Sequence, residues 1–244
     1  MSVWKTILKL IPDSLVNVFF RPAFRYSPHF KRMHEMISYS DRENILRLAM
    51  EFLKHSQIEG DYLEFGVFQG QLFSTAYHIA QSEGFSSMRF HAFDSFEGLP
   101  EVKGIDTQGF QHFETGEFSS SEQVFLKTLK TNNINLAKTT VSKGFFSDTL
   151  SHNLQKELQL HKAAIVYVDC DLYESTVPVL DFVRPLIGTG TIIMFDDWYC
   201  FRADPNLGEQ RAFTEWLECN PALSSQEYRK YGWHGNSFVL SLKT

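Results

Sequence analysis

The sequence contains few cysteines, no excess of basic residues and no long apolar run, and each shortage excludes a class of protein. Its three cysteines form no CxxC pair and no zinc-type spacing, which favours a reducing cytoplasm over a disulfide scaffold. A net charge of −6 gives no support to nucleic-acid binding. No run approaches the roughly 20 apolar residues that span a bilayer, and no signal-peptide cleavage pattern is found. We therefore expect a cytoplasmic protein with neither a membrane span nor a nucleic-acid partner.

What the sequence does contain is enough apolar material for a sizeable core. Hydrophobic residues make up 43% of the 244 positions, which fits one large α/β domain with an added helical segment. Residues 1–57 are predicted to form an N-terminal helical extension, interrupted near Pro22 and Pro28. Within it, residues 41–55 carry apolar side chains at helical spacing. Residues 58–244 are predicted to form the main domain.

From residue 61 onward, short apolar runs alternate with longer helical stretches. This alternation predicts an α/β fold with a doubly wound, mostly parallel sheet. Two last segments, 227–229 and 237–242, are expected to close the sheet as a pair with an antiparallel edge strand. The predicted strands are 62–65, 90–93, the more polar 139–141, 163–168 and 191–195, and the predicted helices between them are 71–81, 121–131, 150–158 and 173–187.

The stretch 99–121 follows neither the helical nor the strand period. It interleaves three glycines with three phenylalanines, namely Gly104, Gly109, Gly116, Phe110, Phe113 and Phe118. Long loops without secondary structure are uncommon in compact domains and are usually functional. A packed surface loop would also account for the composition. The position directly after a strand end favours a lid over the active site.

In an open parallel sheet, ligands bind at the carboxyl ends of the strands. The first strand ends at Glu64 and Phe65, and the turn after it contains Gly66 and Gly70, which let the backbone approach a ligand closely. This is not the GxGxxG pattern of pyrophosphate binding. A carboxylate at the turn would repel a pyrophosphate and suits a cationic ligand such as S-adenosylmethionine. A tight turn with a solvated Glu64 explains the pattern about as well.

The second strand ends at Asp94, where a carboxylate can accept both hydroxyls of a ribose. An aspartate that caps a turn is the alternative, and we favour the nucleoside interpretation. Asp148, after the third strand, could contact an adenine amino group or serve as a helix N-cap. A lone His234 between the last strands is more typical of a structural role. The predicted cofactor site comprises Glu64, Gly66, Gly70, Asp94, Ser95, Phe96 and Asp148.

Carboxylates are dense at the ends of the fourth and fifth strands, as Asp169 and Asp171 after one and Asp196 and Asp197 after the other. If the strands are neighbours, these residues converge at one edge and repel one another unless a cation lies among them. Hard oxygen ligands select Mg²⁺ or Ca²⁺. Asp171 could instead only cap the next helix, with Glu174 completing a capping-box-like pattern. That alternative leaves the other three aspartates unexplained.

Four stretches together resemble the macrocin O-methyltransferase family, whose members methylate sugar hydroxyls on macrolide and aminocoumarin antibiotics. They are EFGV at 64–67, FDSFEGLP at 93–100, DCDLYEST at 169–176 and DDW at 196–198. The resemblance implies a seven-stranded, Rossmann-like class I methyltransferase fold, S-adenosylmethionine as cofactor and Mg²⁺ as cosubstrate ligand. It further implies that Asp169, Asp196 and Asp197 hold the metal and that Asp171 is a general base.

We therefore predict metal-dependent methyl transfer from S-adenosylmethionine to a hydroxyl of a small, sugar-like acceptor. Mg²⁺ would orient and acidify the hydroxyl, and Asp171 or Asp169 would take its proton. Two alternatives stay open. One is a metal-dependent phosphohydrolase or nucleotide-sugar enzyme that uses the same aspartates, and the other is a non-catalytic ligand-binding protein on a methyltransferase fold. A homodimer or higher homo-oligomer is compatible with the sequence.

Overall fold

The computed structural model describes residues 28–108 and 113–243, with side chains from residue 41 onward. The helices predicted before residue 28, and Gly109 and Phe110 of the predicted lid, lie outside the described residues. The chain divides into two compact units, Met1–Asp41 and Arg42–Thr244. The second unit begins at Arg42 rather than at residue 58, because the apolar face of residues 45–53 is buried in its core. Every strand of the described chain belongs to this second unit.

The described chain forms helices and strands in the alternation that the apolar runs predict. The helix expected over 150–158 is shorter, because Ser151 caps it by accepting the N–H of Leu154, and a separate short helix precedes it. The elements are α1 (Pro28–His55), β1 (Asp61–Phe65), α2 (Gln71–Glu83), β2 (Phe90–Asp94), α3 (Glu122–Thr131), β3 (Thr139–Lys143), α4 (Phe146–Thr149), α5 (His152–Glu157), β4 (Ala163–Val168), α6 (Tyr173–Val183), β5 (Ile192–Phe195), α7 (Gly208–Cys219), β6 (Leu223–Tyr231) and β7 (Gly235–Leu242).

The seven strands of the described residues join one sheet in the order β3-β2-β1-β4-β5-β7-β6. Strands β1 to β5 pair in parallel, and β7 runs antiparallel to both of its neighbours. The doubly wound α/β fold is thereby confirmed. The antiparallel strand differs from the expected one, since it lies between β5 and β6 and not at the edge. The polar strand β3 is an edge strand, so its side chains are only half buried.

Helices cover both faces of the sheet because successive strand residues point to opposite sides. Tyr62 and Tyr167 face a core that includes residues of α1, α2 and α3. Leu63 and Val166 face the opposite core, which includes residues of α6 and α7. Strands β1, β4 and β5 are buried throughout. This two-sided burial is the reason that these strands are continuous apolar runs rather than alternating ones.

The connections after β1 and β4 leave in opposite directions, since β1 leads to β2 and β4 leads to β5. The loops that follow these two neighbouring strands therefore lie at a topological switch point, where open α/β sheets bind ligands. The strands end level with one another, because Phe65 pairs with Val168 and Val168 pairs with Phe195. The glycines predicted for the first turn follow the end of β1, and the aspartates predicted to hold a metal follow the ends of β4 and β5.

Candidate active site

The backbone after β1 passes close to the backbone after β4. Gly66 has a φ of 87°, and a Cβ placed there would lie 1.8 Å from the carbonyl oxygen of Asp169. Gly70, the N-cap of α2, has a φ of 82°, and its Cβ would lie 2.6 Å from the ring of Phe125. Both positions therefore require glycine. The turn between them lies at the switch point, where open α/β sheets bind ligands.

Asp94 ties this turn to the end of β2. Its Oδ2 accepts the N–H groups of Val67 and Phe68 at 2.8 and 3.0 Å, and its Oδ1 accepts the N–H of Phe96 at 2.7 Å. A carboxylate offers about four acceptor positions, so three backbone donors leave one for a ligand. The predicted contact with a ribose diol remains a prediction. In the structure, Asp94 shapes the turn that follows β1.

Glu64 is buried in the sheet below the turn, with 1% of its surface exposed, and it accepts a hydrogen bond from the hydroxyl of Tyr62. Burial raises its pKa to about 8, with a contribution from the nearby charge of Asp196. The hydrogen bond from Tyr62 and the charge of Arg42 oppose this rise. The alternative of a solvated Glu64 is therefore wrong. A cation that approached this carboxyl would favour its ionised form.

The structure shows the contacts or the exposure of three further residues predicted for the cofactor site, namely Ser95, Phe96 and Asp148. Ser95 donates to the carbonyl oxygen of Gly98 at 2.9 Å, and Phe96 is 7% exposed and packs in the core. These two side chains stabilise the loop after β2 internally. Asp148 is exposed in α4, whose N-cap is Phe145, so the alternative of an N-capping Asp148 is wrong. Their contacts with a cofactor remain predictions.

The loops after β4 and β5 bring three aspartates together. Asp169, Asp171 and Asp197 each offer one carboxylate oxygen, and these oxygens lie within 4.8 Å of one another. We call these three residues the acidic group. Asp169 directly follows β4, and its backbone N–H donates to Phe65 in β1. The acidic group therefore lies beside the glycine turn, at the same edge of the sheet.

The chemistry of the acidic group fits a hard divalent cation. Burial and then mutual repulsion raise the pKa values of Asp169 and Asp171 well above the ordinary range, and burial and the charge of Asp196 raise that of Asp197 to about 6. Within the described part of the chain, Oδ2 of Asp197 is buried without a hydrogen-bond partner. A cation among these oxygens would relieve the repulsion and supply the missing partner.

Asp196 has other partners. Arg42 binds both of its carboxylate oxygens, with Nε 2.9 Å from Oδ1 and Nη2 on Oδ2, and the hydroxyl of Tyr167 donates to Oδ1 at 2.5 Å. Burial would raise the pKa of Asp196, but the hydrogen bonds and charge of Arg42 hold it below the ordinary value. Asp171 thus occupies the place in the acidic group that the resemblance implies for Asp196.

His234 supports Asp196 from the turn between β6 and β7. Its Nδ1 lies 2.5 Å from the carbonyl oxygen of Asp196 and 3.6 Å from Oδ2 of the same residue. The backbone N–H of Tyr199 donates to the carbonyl oxygen of His234 at 2.8 Å. His234 is 5% exposed. These contacts fit a structural role that holds the loop after β5 against the closing strands.

Asp171 does not cap the helix that follows it. The N-cap of α6 is Leu172, whose side chain makes no capping hydrogen bond. The carboxylate of Asp106 accepts the N–H groups of Tyr173 and Glu174 instead, at 2.8 and 3.1 Å. The capping alternative is therefore wrong, and the Asp171 carboxylate belongs to the acidic group. Its backbone has a φ of 62°, which is uncommon for a residue with a Cβ.

The stretch predicted as a lid is folded wherever the structure describes it. The N–H of Leu99 donates to Glu117, and the N–H of Gly116 donates to Leu99, both at 2.9 Å. Its apolar side chains pack with residues of the loops after β4 and β5 in one small cluster, namely Leu99, Phe113, Leu172, Cys200, Phe201 and Leu207. This part of the stretch therefore lies against the loops that carry the acidic group. The predicted ordering by ligand remains a prediction.

Three charged residues near these loops were not predicted from the sequence. Arg42 lies in α1 in line with the buried Ile45 and Leu46, and a charge that extends an apolar stripe is a signal that could have found it. Glu209 in α7 is 1% exposed, and its Oε2 accepts the N–H of Asp197 at 3.0 Å. Asp106 lies in a loop and carries no local signal.

Comparison with known families agrees with this geometry. The sequence model described as macrocin O-methyltransferase matches residues 27–213, which is most of the chain. The chain belongs to the macrocin O-methyltransferase family. The match includes α1 with Arg42, the glycine turn, the acidic group and the first half of α7. Family membership thus accounts for the resemblance that the four sequence stretches carry.

Two curated proteins are similar to this chain in sequence. A Streptomyces olivaceus protein, 8-demethyl-8-(2,3-dimethoxy-α-L-rhamnosyl)-tetracenomycin-C 4′-O-methyltransferase, is 26% identical over 171 residues. The demethyldecarbamoylnovobiocin O-methyltransferase of Streptomyces niveus is 25% identical over 169 residues. Each alignment covers 68% of this chain and 62% of the relative. The chain therefore spans somewhat less than two thirds of the length of these relatives.

Two solved structures share the class I methyltransferase fold. The O-methyltransferase NovP has a TM-score of 0.68 and 20% identity, over 83% of this chain and 80% of NovP. A calicheamicin methyltransferase has a TM-score of 0.65 and 20% identity, over 94% of this chain and 86% of that one. At these identities the likeness describes the fold alone.

Among the helices that the structure describes, none combines the length and the hydropathy needed to cross a bilayer.

Proposed function

We propose that the protein transfers a methyl group from S-adenosylmethionine to a hydroxyl of a small, sugar-like acceptor, with the help of a divalent metal. The family, the fold and the names of the two curated relatives support this proposal. The observation that carries it is the meeting of Asp169, Asp171 and Asp197 beside the glycine turn after β1. A metal held by these residues would lie next to a cofactor bound at the turn, as the proposed reaction requires.

The cofactor side of the proposal rests on the turn between Gly66 and Gly70. S-adenosylmethionine carries an ammonium group and a sulfonium, and the buried Glu64 is the carboxyl that a positive group would stabilise in its ionised form. The glycines let the turn pack closely against the loop after β4 and against α3, which fixes its position at the switch point. Asp94 fixes the turn through two of its N–H groups, so the binding surface is preformed.

Asp169, Asp171 and Asp197 would hold the metal. An all-oxygen donor set favours Mg²⁺, with Mn²⁺ as a substitute. When bound, the ion would supply Lewis acidity that lowers the pKa of an acceptor hydroxyl. We leave Asp196 out of the ligand set because Arg42 and Tyr167 already bind its oxygens. Its role is to anchor Arg42, whose charge also offsets that of Asp169.

The acceptor hydroxyl must lose its proton as its oxygen attacks the methyl group. We assign this proton to Asp171, with Asp169 as the other candidate in the same group. Asp171 offers one oxygen to the acidic group and is not used as a helix cap, so its second oxygen is the one that would take the proton. A well-placed general base contributes about 10²- to 10⁴-fold to the rate. Holding acceptor and cofactor at attack distance supplies much of the remainder.

Methyl transfer from labelled S-adenosylmethionine to a panel of sugar and phenolic acceptors tests the proposal. Turnover should require Mg²⁺ or Mn²⁺ and should stop in EDTA. Asp197→Asn keeps the side-chain volume and removes one ligand charge, so it should abolish turnover while calorimetry finds unchanged binding of S-adenosylhomocysteine. Asp181→Asn is the matched control, because Asp181 is an exposed aspartate on α6 outside the acidic group. It should behave as wild type.

Two results would separate the parts of the proposal. Full activity in EDTA, or in Asp197→Asn, would reject the metal while leaving methyl transfer intact. Failure of S-adenosylhomocysteine to bind the wild-type protein would reject methyl transfer itself.

We also propose a cytoplasmic location, which the three free cysteines support, since thiols stay reduced in that compartment.

A further inference from the structure

A carboxylate outside the acidic group binds the backbone two and three residues after Asp171. Asp106 lies in a short 3₁₀ turn, Gly104–Thr107, in the stretch that joins β2 to α3. It is 3% exposed. Its Oδ1 accepts the N–H of Tyr173 at 2.8 Å, and its Oδ2 accepts the N–H of Glu174 at 3.1 Å. Both oxygens are therefore committed to the first turn of α6.

These two hydrogen bonds supply a cap that the helix does not provide for itself. The first N–H groups of a helix have no partner within it, and a side chain at the N-cap commonly accepts one of them. The N-cap of α6 is Leu172, which has no polar side chain. Asp106 replaces the missing cap from 67 positions away in the sequence. A negative charge is also favoured at this end of a helix.

The residue before this cap is Asp171, whose left-handed backbone needs support. Its φ of 62° lies in the left-handed region, which is costly for a residue with a Cβ, although less so for an aspartate than for most. The support comes from both sides of the same stretch. Asp106 fixes the backbone after Leu172, and the side chains of Leu99 and Phe113 pack with Leu172 itself.

We propose that Asp106 is a positioning residue that sets the Asp171 carboxylate within the acidic group. The inference rests on the proposed function, in which Asp171 belongs to the metal and proton-transfer machinery. Asp106 touches neither the acidic group nor the glycine turn. Its loss should therefore change the geometry of Asp171 and leave cofactor binding as it was. Partners of metal ligands commonly contribute about 10- to 100-fold to metal affinity or activity.

The test compares Asp106→Ala, Asp106→Asn and the control Glu101→Gln, an exposed acid in the same stretch. Alanine removes both acceptors, whereas asparagine keeps one. We expect kcat and Mn²⁺ affinity to fall by about tenfold or more in Asp106→Ala and by less in Asp106→Asn. The KM for S-adenosylmethionine should stay at the wild-type value in all three variants, and Glu101→Gln should match wild type throughout.

A purely structural role would lower the melting temperature and the amount of folded protein without changing kcat per folded molecule. That result would overturn the proposal, as would a KM for S-adenosylmethionine that rises in parallel with the loss of kcat. If Asp106→Ala does not fold, Asp106→Asn decides. If the wild-type protein transfers no methyl group, the proposed function fails, and Mn²⁺ titration of the variants still decides whether Asp106 positions Asp171. Equal Mn²⁺ affinity in all variants would then reject it.

Discussion

Arg42 binds both carboxylate oxygens of Asp196 across 154 positions of sequence. The side chain of Asp196 is 2% exposed and that of Arg42 is 28% exposed, so the carboxylate is buried and the guanidinium is partly accessible to solvent. The guanidinium also lowers the pKa values of Asp169 and Glu64, against the burial that raises them. The helix before the first strand is thus part of the candidate site. It supplies a positive charge to an edge of the sheet that carries several buried carboxyls.

Removing Arg42 should destabilise the fold because Asp196 would remain as a buried charge without its main partner. Breaking a buried pair on one side costs about 3–5 kcal/mol, and we expect about 3 kcal/mol for Arg42→Ala since solvent reaches the guanidinium. Arg47→Ala is the matched control on the same helix. Its exposed pair with Glu43 should contribute less than about 1 kcal/mol. Urea unfolding measures both, and equal losses would contradict the anchoring role.

The fold could be predicted from the sequence because its strands are buried on both faces and appear as continuous apolar runs. The strand β3 was the weakest of them, since an edge strand buries less and needs fewer apolar residues. The order of the last two strands could not be read from their composition. The start of the main unit at Arg42 was also missed, because helical periodicity predicts a helix and not the partner on which it packs.

The site was predicted at the level of strand ends and not at the level of atoms. Sequence position places Asp169, Asp171, Asp196 and Asp197 at one edge, but only side-chain directions decide which oxygens meet. Asp196 forms a salt bridge with Arg42, which lies in a helix far away in the sequence. Asp106 accepts the first N–H groups of α6, so Asp171 does not cap this helix. Both interactions are hydrogen bonds between residues that lie far apart in the sequence. No spacing rule within one segment can supply them.

Asp94 should couple to one ribose hydroxyl and not to both. Three of its four acceptor positions hold backbone N–H groups, so one remains for the cofactor. Asp94→Ala should lower the affinity for S-adenosylhomocysteine by about tenfold or more, because hydrogen bonds to a charged group contribute about 1.5–3 kcal/mol. Calorimetry with the 2′-deoxy and 3′-deoxy forms of this ligand measures the coupling.

A double-mutant cycle decides the outcome for Asp94. If Asp94 binds a given hydroxyl, a ligand that lacks this hydroxyl should bind the wild type more weakly than the intact ligand does. In Asp94→Ala, the loss of the same hydroxyl should change the affinity little. For the other hydroxyl, the two losses should add. Coupling to both hydroxyls would mean that the carboxylate gives up backbone donors on binding. Additivity for both would assign Asp94 to the shape of the turn alone.

Glu64 should make the cofactor-free protein less stable as the pH rises. Its folded pKa of about 8 exceeds the ordinary 4.5, so the folded state binds more protons between these values. Stability is then lost progressively from pH 4.5 to pH 8, on the order of 1.4 kcal/mol per pH unit at most. Glu64→Gln does not titrate, so its stability relative to wild type should rise across this window. Urea unfolding at pH 5 and pH 9 measures the difference, and a constant difference would contradict the raised pKa.

The same substitution should weaken cofactor binding. At pH 7 much of Glu64 is protonated in the free protein, and an ammonium group would favour its ionised form. Binding of S-adenosylmethionine should therefore release protons in the wild type and fewer in Glu64→Gln. Calorimetry in buffers of different ionisation enthalpy counts these protons. Equal proton release by both proteins would place the ammonium group elsewhere.

Gly66 should tolerate no side chain, because the carbonyl oxygen of Asp169 occupies the space that a Cβ needs. Gly84, at the end of α2, is the matched control. It has a similar φ of 93°, but no atom lies within 4 Å of its would-be Cβ. Gly84→Ala should therefore cost only the backbone strain, about 1–2 kcal/mol. Gly66→Ala should cost about 4 kcal/mol or more, the range of substitutions that the structure cannot accommodate. It should also abolish binding of S-adenosylhomocysteine, since β1 and β4 would be forced apart at the switch point. Unfolding free energies for the two alanine variants decide the matter, and equal losses would mean that the close approach of the two loops does not constrain the fold.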